Sequence, residues 1–453
     1  MKMLLSEIAK VSRGMHVGND VEVRSVSIDT RSLKSGDLYV AIKGHQFDGN
    51  EFISTAEQGG AIGAIINAGH STSLPHLVVD DTRLALGQLA GAWRDKLQAK
   101  IIGITGSNGK TTVKEMVAAI LAVDGSVLFT KGNLNNDIGV PLTLLRLNET
   151  YHYGVIEMGA NHQAEIAYVS KIAKSDVVIL NNAGAAHIEG FGSLDGVAKA
   201  KGEIIETLKI EGIAVINRDD RYFGYWREIA GKRKVISFGL HEAADVTAKH
   251  IETGVVKDRF TTTFDLIAAE ESAAINLQLA GQHNVQNALA AASAGLALGL
   301  SLAKIKRGLE SVQPVTGRLQ PLIGRLGNIV IDDTYNANAT SLKAGVDVLT
   351  NCKGKHWVVL GAFAELGAES TKIHEEIGEL LVSKGVVRLL AIGSDAENAV
   401  RVFGKGATFF DSQEELMAAL NAEIRGDETI LIKGSRTQRM ENVVAALVEN
   451  FRT

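Results

Sequence analysis

Short apolar runs alternate with amphipathic stretches along most of this chain. IIGIT (101–105), SVLFT (126–130), YGVIEM (153–158), DVVIL (176–180) and GIAVIN (212–217) predict buried strands joined by helices, the signature of a largely parallel sheet. The rhythm restarts with NIVIDD (328–333), HWVVLG (356–361), VRLLAIG (387–393) and TILIKG (429–434), which predicts a second, Rossmann-like unit. Before residue 82 the runs are shorter, such as VEVRSVSI (21–28) and LYVAI (38–42), and turn-rich pieces such as SLKSGD and KGHQFDGN join them. That region reads as a small α/β cap. At the start, Leu4, Leu5 and Ile8 share a helical face interrupted by Glu7 and Lys10, so a folded helix is expected there rather than a signal peptide.

Three of the four prolines, Pro75, Pro314 and Pro321, lie where these patterns change. The expected division is therefore an α/β chain of three domains, 1–81, 82–312 and 313–453. At 453 residues the chain is long enough for that number of cores.

The densest chemical signal is GITGSNGKTT at 103–112. A strand enters, glycines Gly103, Gly106 and Gly109 let backbone N–H groups approach anionic oxygens, and the next helix offers its positive N-terminal end. Lys110 has the reach for outer phosphates, and the Thr111 hydroxyl can coordinate Mg2+. Val113, Met116, Val117, Ile120 and Leu121 then mark one buried helix face. The usual phosphate loop places a glycine at position 104. Here that residue is Ile104, with Gly103 one position earlier, so the loop is a variant. ATP and GTP remain equally open on these residues.

Composition narrows the partners. A net charge of −5 and a pI near 6.2 give no general attraction to nucleic acid or an anionic membrane, so phosphate binding must be local. The single cysteine, Cys352, excludes an internal disulfide and fits a reducing cytoplasm. No stretch reaches the roughly 18 apolar residues of a membrane span.

Other polar residues fall at predicted strand ends, the edge where the phosphate loop opens. Glu157 ends YGVIE and is placed to hold Mg2+ or to sit solvated; His187 follows DVVIL, with Lys199 and Lys201 downstream. Asp332, Asp333, Tyr335, Asn336 and Asn338 follow NIVI. Gln282, His283, Asn284 and Asn287 open an Ala-rich helix, where an asparagine reads first as a cap.

GITGSNGKTT, KGNLNNDIGVP, VIEMGANHQAEI, AHIEGFGSLDGVAKAKGEI, GQHNVQNALAA, DDTYNAN and IKGSRTQRMENVV together resemble the Mur ligase family of peptidoglycan synthesis, from about residue 25 to the C-terminus. NLNNDIGVP, IDDTYNAN and AELGAESTKIH are most similar to the branch that joins D-alanyl-D-alanine to UDP-N-acetylmuramoyl-tripeptide. The resemblance implies a UDP-sugar domain, a central ATP domain and a C-terminal domain that takes the dipeptide and closes on ATP. It implies ATP with two Mg2+ ions, Lys110 on phosphates, Thr111 and Glu157 on one ion, and His187 with a carbamylated Lys201 near the other, Lys199 being the fallback. Gly106, Ser107, Asn108, Gly109 and Thr112 complete the nucleotide loop by that resemblance, and Asn284, Arg318 and Asp333 serve the nucleotide. Ser27, Asp29, Thr30, Arg31, Gly44 and Asp48 serve the UDP-sugar, while Asn133, Asn135, Asn136, Tyr335, Asn336 and Asn338 line the substrates.

The chain departs from the family's habit at Asp137, Ala339 and Phe363-Ala364. The resemblance further implies a cytoplasmic monomer acting on small molecules. Two other readings stay open: a related ligase with a different acid or amine, disfavoured by SIDTRSLKSGDLYVAIKG, and a regulatory ATP-binding module without chemistry.

Overall fold

A computed structural model describes residues 1–449 apart from 45–46, 185–187 and 257–258. Its centre is a nine-stranded sheet whose phosphate-loop strand, Lys100–Thr105, runs parallel between Tyr153–Glu157 and Val177–Leu180. The chain continues from Lys100–Thr105 to strands on one side and then crosses to the other, so the loop opens at a point where strand order reverses. Ile213–Asn217 and Lys234–Phe238 extend the parallel part.

The parallel pattern then ends. Val246–Val256, Arg259–Ala268 and Glu271–Leu277 form an antiparallel meander on the sheet's edge, an element the sequence reading did not separate from the parallel run. Its cause is visible in Arg259–Ala268, where Phe260, Thr262, Phe264, Leu266 and Ala268 are buried at every second position.

The helix after the phosphate loop, Lys110–Ala122, buries Val113, Met116, Val117, Ile120 and Leu121 to within 1% exposure, as the spacing predicts. Thr82–Asp95 starts on Asp81, whose carboxylate accepts from the Arg83 and Leu84 amides at 2.7 and 3.0 Å. This helix inserts Leu86, Leu89 and Trp93 into one core with Val40 and Leu77 of the first sheet and Ile156 and Leu180 of the central sheet. The first two sheets are thereby welded through shared apolar packing.

Two N-terminal expectations need correction. The helix is Leu5–Ser12, and Leu4 lies outside it in the short strand Met3–Leu4 with its side chain exposed. The 21–28 run is not one strand: Glu22–Val23 pairs with Met3–Leu4, whereas Val26–Ser27 joins the five-stranded first sheet beside Leu38–Val40.

The last sheet has six strands, with Glu428–Lys433 between Ile329–Asp333 and Lys355–Gly361. Phe260 and Ala280 from the central unit pack into its core beside Leu319, Ile331 and Val348, which holds the two units together. Among the described residues, no helix is long and apolar enough to cross a membrane.

Candidate active site

The phosphate loop owes its shape to two glycines with φ of +156° and +78°, Gly106 and Gly109. A Cβ on Gly109 would lie 2.4 Å from Asn287 Oδ1, so the position needs both the left-handed backbone and the empty side. Gly103 is different. It lies within the strand, where a Cβ would meet Ser175 Oγ at 2.7 Å, so it serves packing and not anion approach, contrary to the sequence reading.

Amide side chains brace this loop from behind. Ser107 N–H donates to Asn182 O at 3.0 Å and Asn108 N–H to Asn182 Oδ1 at 2.8 Å. The Asn108 carbonyl accepts from the Asn181 and Asn182 amides at 2.9 and 3.1 Å. The series continues from Asn181 to Asn287 Oδ1, and from Asn287 to Asn284 Oδ1, at 3.0 and 3.1 Å. Asn217 adds a bond to the Asn181 carbonyl at 2.9 Å. Asn181, Asn182 and Asn217 were missed as site residues, although LNN and VIN at the ends of apolar runs are a usable signal.

Asn284 is not the helix cap that its position first indicates. Gly281 occupies that place without a side-chain cap bond, and the Asn284 amide donates back to the Ala280 carbonyl at 2.8 Å. Thr112, Glu115, Leu279, Asn284, Val312 and Arg318 surround a small cavity beside the loop.

Glu157 is a buried strand-end carboxylate and not a solvated one. Its two oxygens accept from Thr111 Oγ1 at 3.0 Å and Asn135 Nδ2 at 2.9 Å, which ties the phosphate loop to the 133–136 segment. Asn136 accepts from the Gly139 amide at 2.9 Å at the start of helix Gly139–Leu144, and Asn133 is exposed. Asp137 pairs with Arg83.

The Lys110 ammonium donates to the Gly106 and Ser107 carbonyls at 2.6 and 3.3 Å. Burial lowers its pKa, with the Glu157 charge opposing and Arg318 assisting. Lys201 is 2% exposed and lies over the Phe191 ring at 5.5 Å, whereas Lys199 is exposed. Burial, with a smaller contribution from Lys110, brings the Lys201 pKa down to about 7, so a substantial neutral fraction exists near neutrality. Its helix, Leu194–Glu206, is anchored by Trp226 Nε1 on the Ala198 carbonyl at 3.0 Å and by Glu203, which accepts from the Ala164 and Ala167 amides at 2.7 and 2.9 Å. His187 lies outside the described residues.

From the last domain, Arg318 donates to Thr111 Oγ1 at 2.9 Å and stacks on Tyr335 at 4.2 Å, while its Nε is buried without a hydrogen-bond partner. Asn338 caps helix Ala339–Thr350 through the Ser341 amide at 2.8 Å and donates to Asn108 Oδ1 at 2.7 Å. Asp333 accepts from Lys433 at 2.6 Å, and burial raises its pKa against the pull of that cation. The Asn336 carbonyl also receives Lys433, at 3.0 Å.

The six N-terminal candidates are held locally. Ser27 Oγ donates to the Asp29 carbonyl at 3.0 Å, Asp29 pairs with Arg31 at 2.6 Å, and Thr30 sits half-buried in the same turn. Gly44 N–H donates to Phe47 O, and Asp48 accepts from the Asn50 amide, both at 2.9 Å. Among the described residues, no hydrogen bond links these six to the phosphate loop.

Among the described residues no three His, Cys, Asp or Glu side chains gather as a metal cage. Thr111 and Glu157 nevertheless offer hard oxygens side by side at a phosphate loop, the pairing Mg2+ uses when substrate phosphates complete its shell. The residues fit.

Known proteins resemble this chain along nearly its whole length. Family models match as the Mur ligase family catalytic domain over 22–94, the Mur ligase middle domain over 104–295, and the Mur ligase glutamate ligase domain over 317–436. A UDP-N-acetylmuramoyl-tripeptide--D-alanyl-D-alanine ligase of Escherichia coli (strain K12) is 43% identical, covering 99% of both chains. One from Bacillus subtilis (strain 168) is 32% identical over 99% of both. A MurF crystal structure from Acinetobacter baumannii superposes with a TM-score of 0.92 at 36% identity over 98% of both chains. MurF ligase from Thermotoga maritima in complex with ADP gives 0.85 at 29% identity over 94% of this chain and 97% of that one.

Proposed function

We propose a chemistry for the central cleft from a plain premise: the chain belongs to the Mur ligase family. It is an ATP-dependent amide-bond ligase that adds D-alanyl-D-alanine to UDP-N-acetylmuramoyl-tripeptide in peptidoglycan precursor synthesis. The γ-phosphoryl group of ATP moves to the tripeptide's terminal carboxylate, giving ADP and an acyl phosphate. The free amine of the dipeptide attacks that carbonyl, phosphate leaves, and an amide remains. No side-chain nucleophile is required.

The observation that carries this reading is the buried Glu157 carboxylate shared by Thr111 and Asn135, because it places the phosphate loop and the 133–136 segment on one anchor. Residues 106–112 hold the triphosphate, with Lys110 on its outer oxygens. Asn284, Arg318 and Asp333 hold the rest of the nucleotide. Ser27, Asp29, Thr30, Arg31, Gly44 and Asp48 take the UDP-sugar, and Asn133, Asn135, Asn136, Tyr335, Asn336 and Asn338 line the acid and dipeptide. Mg2+ offsets phosphate charge when bound, held by Thr111 and Glu157 and, at a second position, by His187 and a carbamylated Lys201. Burial and the lowered pKa favour Lys201 over the exposed Lys199 for that modification, since a neutral amine is the form that takes up CO2. The units 1–81, 82–312 and 313–453 correspond to the three ligands, and the enzyme works as a cytoplasmic monomer.

Phosphate release with ATP, Mg2+, UDP-MurNAc-tripeptide and either D-Ala-D-Ala or single amino acids tests the assignment. Release with the dipeptide alone is expected; equal release with any amine would overturn it.

A further inference from the structure

IKGSR was singled out in the sequence, yet nothing in the proposed chemistry uses its lysine. Lys433 ends Glu428–Lys433, an interior strand paired in register to Asp333 on one side and Leu360 on the other, so its backbone cannot shift alone. The turn after it is equally fixed: Ser435 Oγ donates to the Ala362 carbonyl at 2.7 Å, and a Cβ on Gly434 would meet Met440 Cγ at 2.7 Å. A lysine only 1% exposed must satisfy its ammonium internally. It does so with Asp333 Oδ2 at 2.6 Å and the Asn336 carbonyl at 3.0 Å.

Those two acceptors flank Tyr335 and precede Asn338, the two members of segment 333–338 that lead to the phosphate loop. Tyr335 stacks on Arg318, which donates to Thr111, and Asn338 donates to Asn108. Asn108 is itself held by Asn181 and Asn182, so the Asn338 amide meets a loop that has little freedom to follow it. The register of 333–338 therefore decides whether the contact forms. We propose that Lys433 is a positioning residue, whose ammonium fixes segment 333–338 so that Asn338 meets Asn108 on the nucleotide loop. Lys433 touches neither the loop nor any reacting atom; it acts through Asn338.

This inference rests on the nucleotide-loop reading above but not on the identity of the acceptor. Its test is a double-mutant cycle on Kd for a non-hydrolysable ATP analogue with Mg2+, using the full chain and no dipeptide. Lys433→Gln and Asn338→Ala are each expected to weaken binding about fivefold, the worth of one neutral hydrogen bond. If Lys433 works through Asn338, the double variant also loses only about five- to eightfold, whereas independent roles multiply to about 25-fold. Multiplicative losses, or an unchanged Kd in Lys433→Gln, would overturn the proposal. A melting curve checks each fold. Should Lys433→Gln fail to melt cooperatively, Lys433→Met, which keeps the length of the side chain and removes its hydrogen bonds to Asp333 and Asn336, replaces it in the same cycle and is read by the same criterion. Wild-type protein that binds nucleotide but ligates no dipeptide would sink the substrate assignment and leave this cycle readable.

Discussion

The central cleft carries many more candidate residues than the N-terminal region, and the two hold them by different means. Around the phosphate loop, partners come from far along the chain: Thr111 with Glu157, Asn108 with Asn182 and Asn338, Arg318 with Thr111. In the first domain they lie within a few positions, as in Asp29 with Arg31 or Asp48 with Asn50. The cleft is thus preorganised by tertiary structure, and the first domain's candidates by turn chemistry. Substitutions in the cleft should cost catalysis heavily, and those at the first domain's candidates should cost affinity with little loss of fold.

The largest effect is expected at Gly109. An alanine there carries a left-handed backbone cost of about 1–2 kcal/mol and a Cβ overlapping Asn287, so Gly109→Ala should lower kcat/KM for ATP about 100-fold or more in a steady-state assay. A loss below about threefold would mean that the loop is not held as described.

Lys201 sharpens the contrast through opposite signs. Its folded pKa, about 7, lies below the ordinary 10.5, so between those values the unfolded chain binds more protons and stability rises with pH. Lys201→Met removes that penalty. In CO2-free buffer at pH 7.5 or thereabouts it should melt several degrees higher than wild type, while in bicarbonate-supplied buffer its activity should be about 100-fold below wild type. Wild-type activity should need bicarbonate most near pH 6.5 and below, roughly where the amine is protonated and a carbamate is lost. Full activity in strictly CO2-free buffer would refute the carbamate.

At the small end stands Asp29, whose carboxyl is brought down to about 2 chiefly by its hydrogen bond from Arg31. Both side chains face solvent, so Asp29→Ala should leave the melting temperature within about 2 °C. It should raise KM for the UDP-linked acid about fivefold, one hydrogen bond's worth. A change in KM for ATP instead would erase the distinction between the two regions.

The same distinction explains what was legible from residues alone. IIGIT, GSNGKTT and the Val113–Leu121 periodicity are local signals, and strand, loop and helix follow them closely. Glu157 was placed by its strand end, but its burial and its bond to Asn135 depend on pairing between distant segments. Gly103 was misread because a glycine in a strand looks the same in sequence whether it admits a phosphate or a serine side chain. The asparagine series and Lys433 escaped because each becomes meaningful only when several strands end at one edge. The meander at 246–277 does carry a period of two, though it follows six parallel strands that share its apolar content.

The account's central claim is that the acid is activated by phosphorylation before the amine arrives. The most direct measurement uses UDP-MurNAc-tripeptide labelled with oxygen-18 in the terminal carboxylate, with ATP, Mg2+ and D-Ala-D-Ala, followed by mass analysis of the released phosphate. Transfer of one carboxylate oxygen from each turnover into inorganic phosphate is predicted; unlabelled phosphate accompanying amide formation would contradict it.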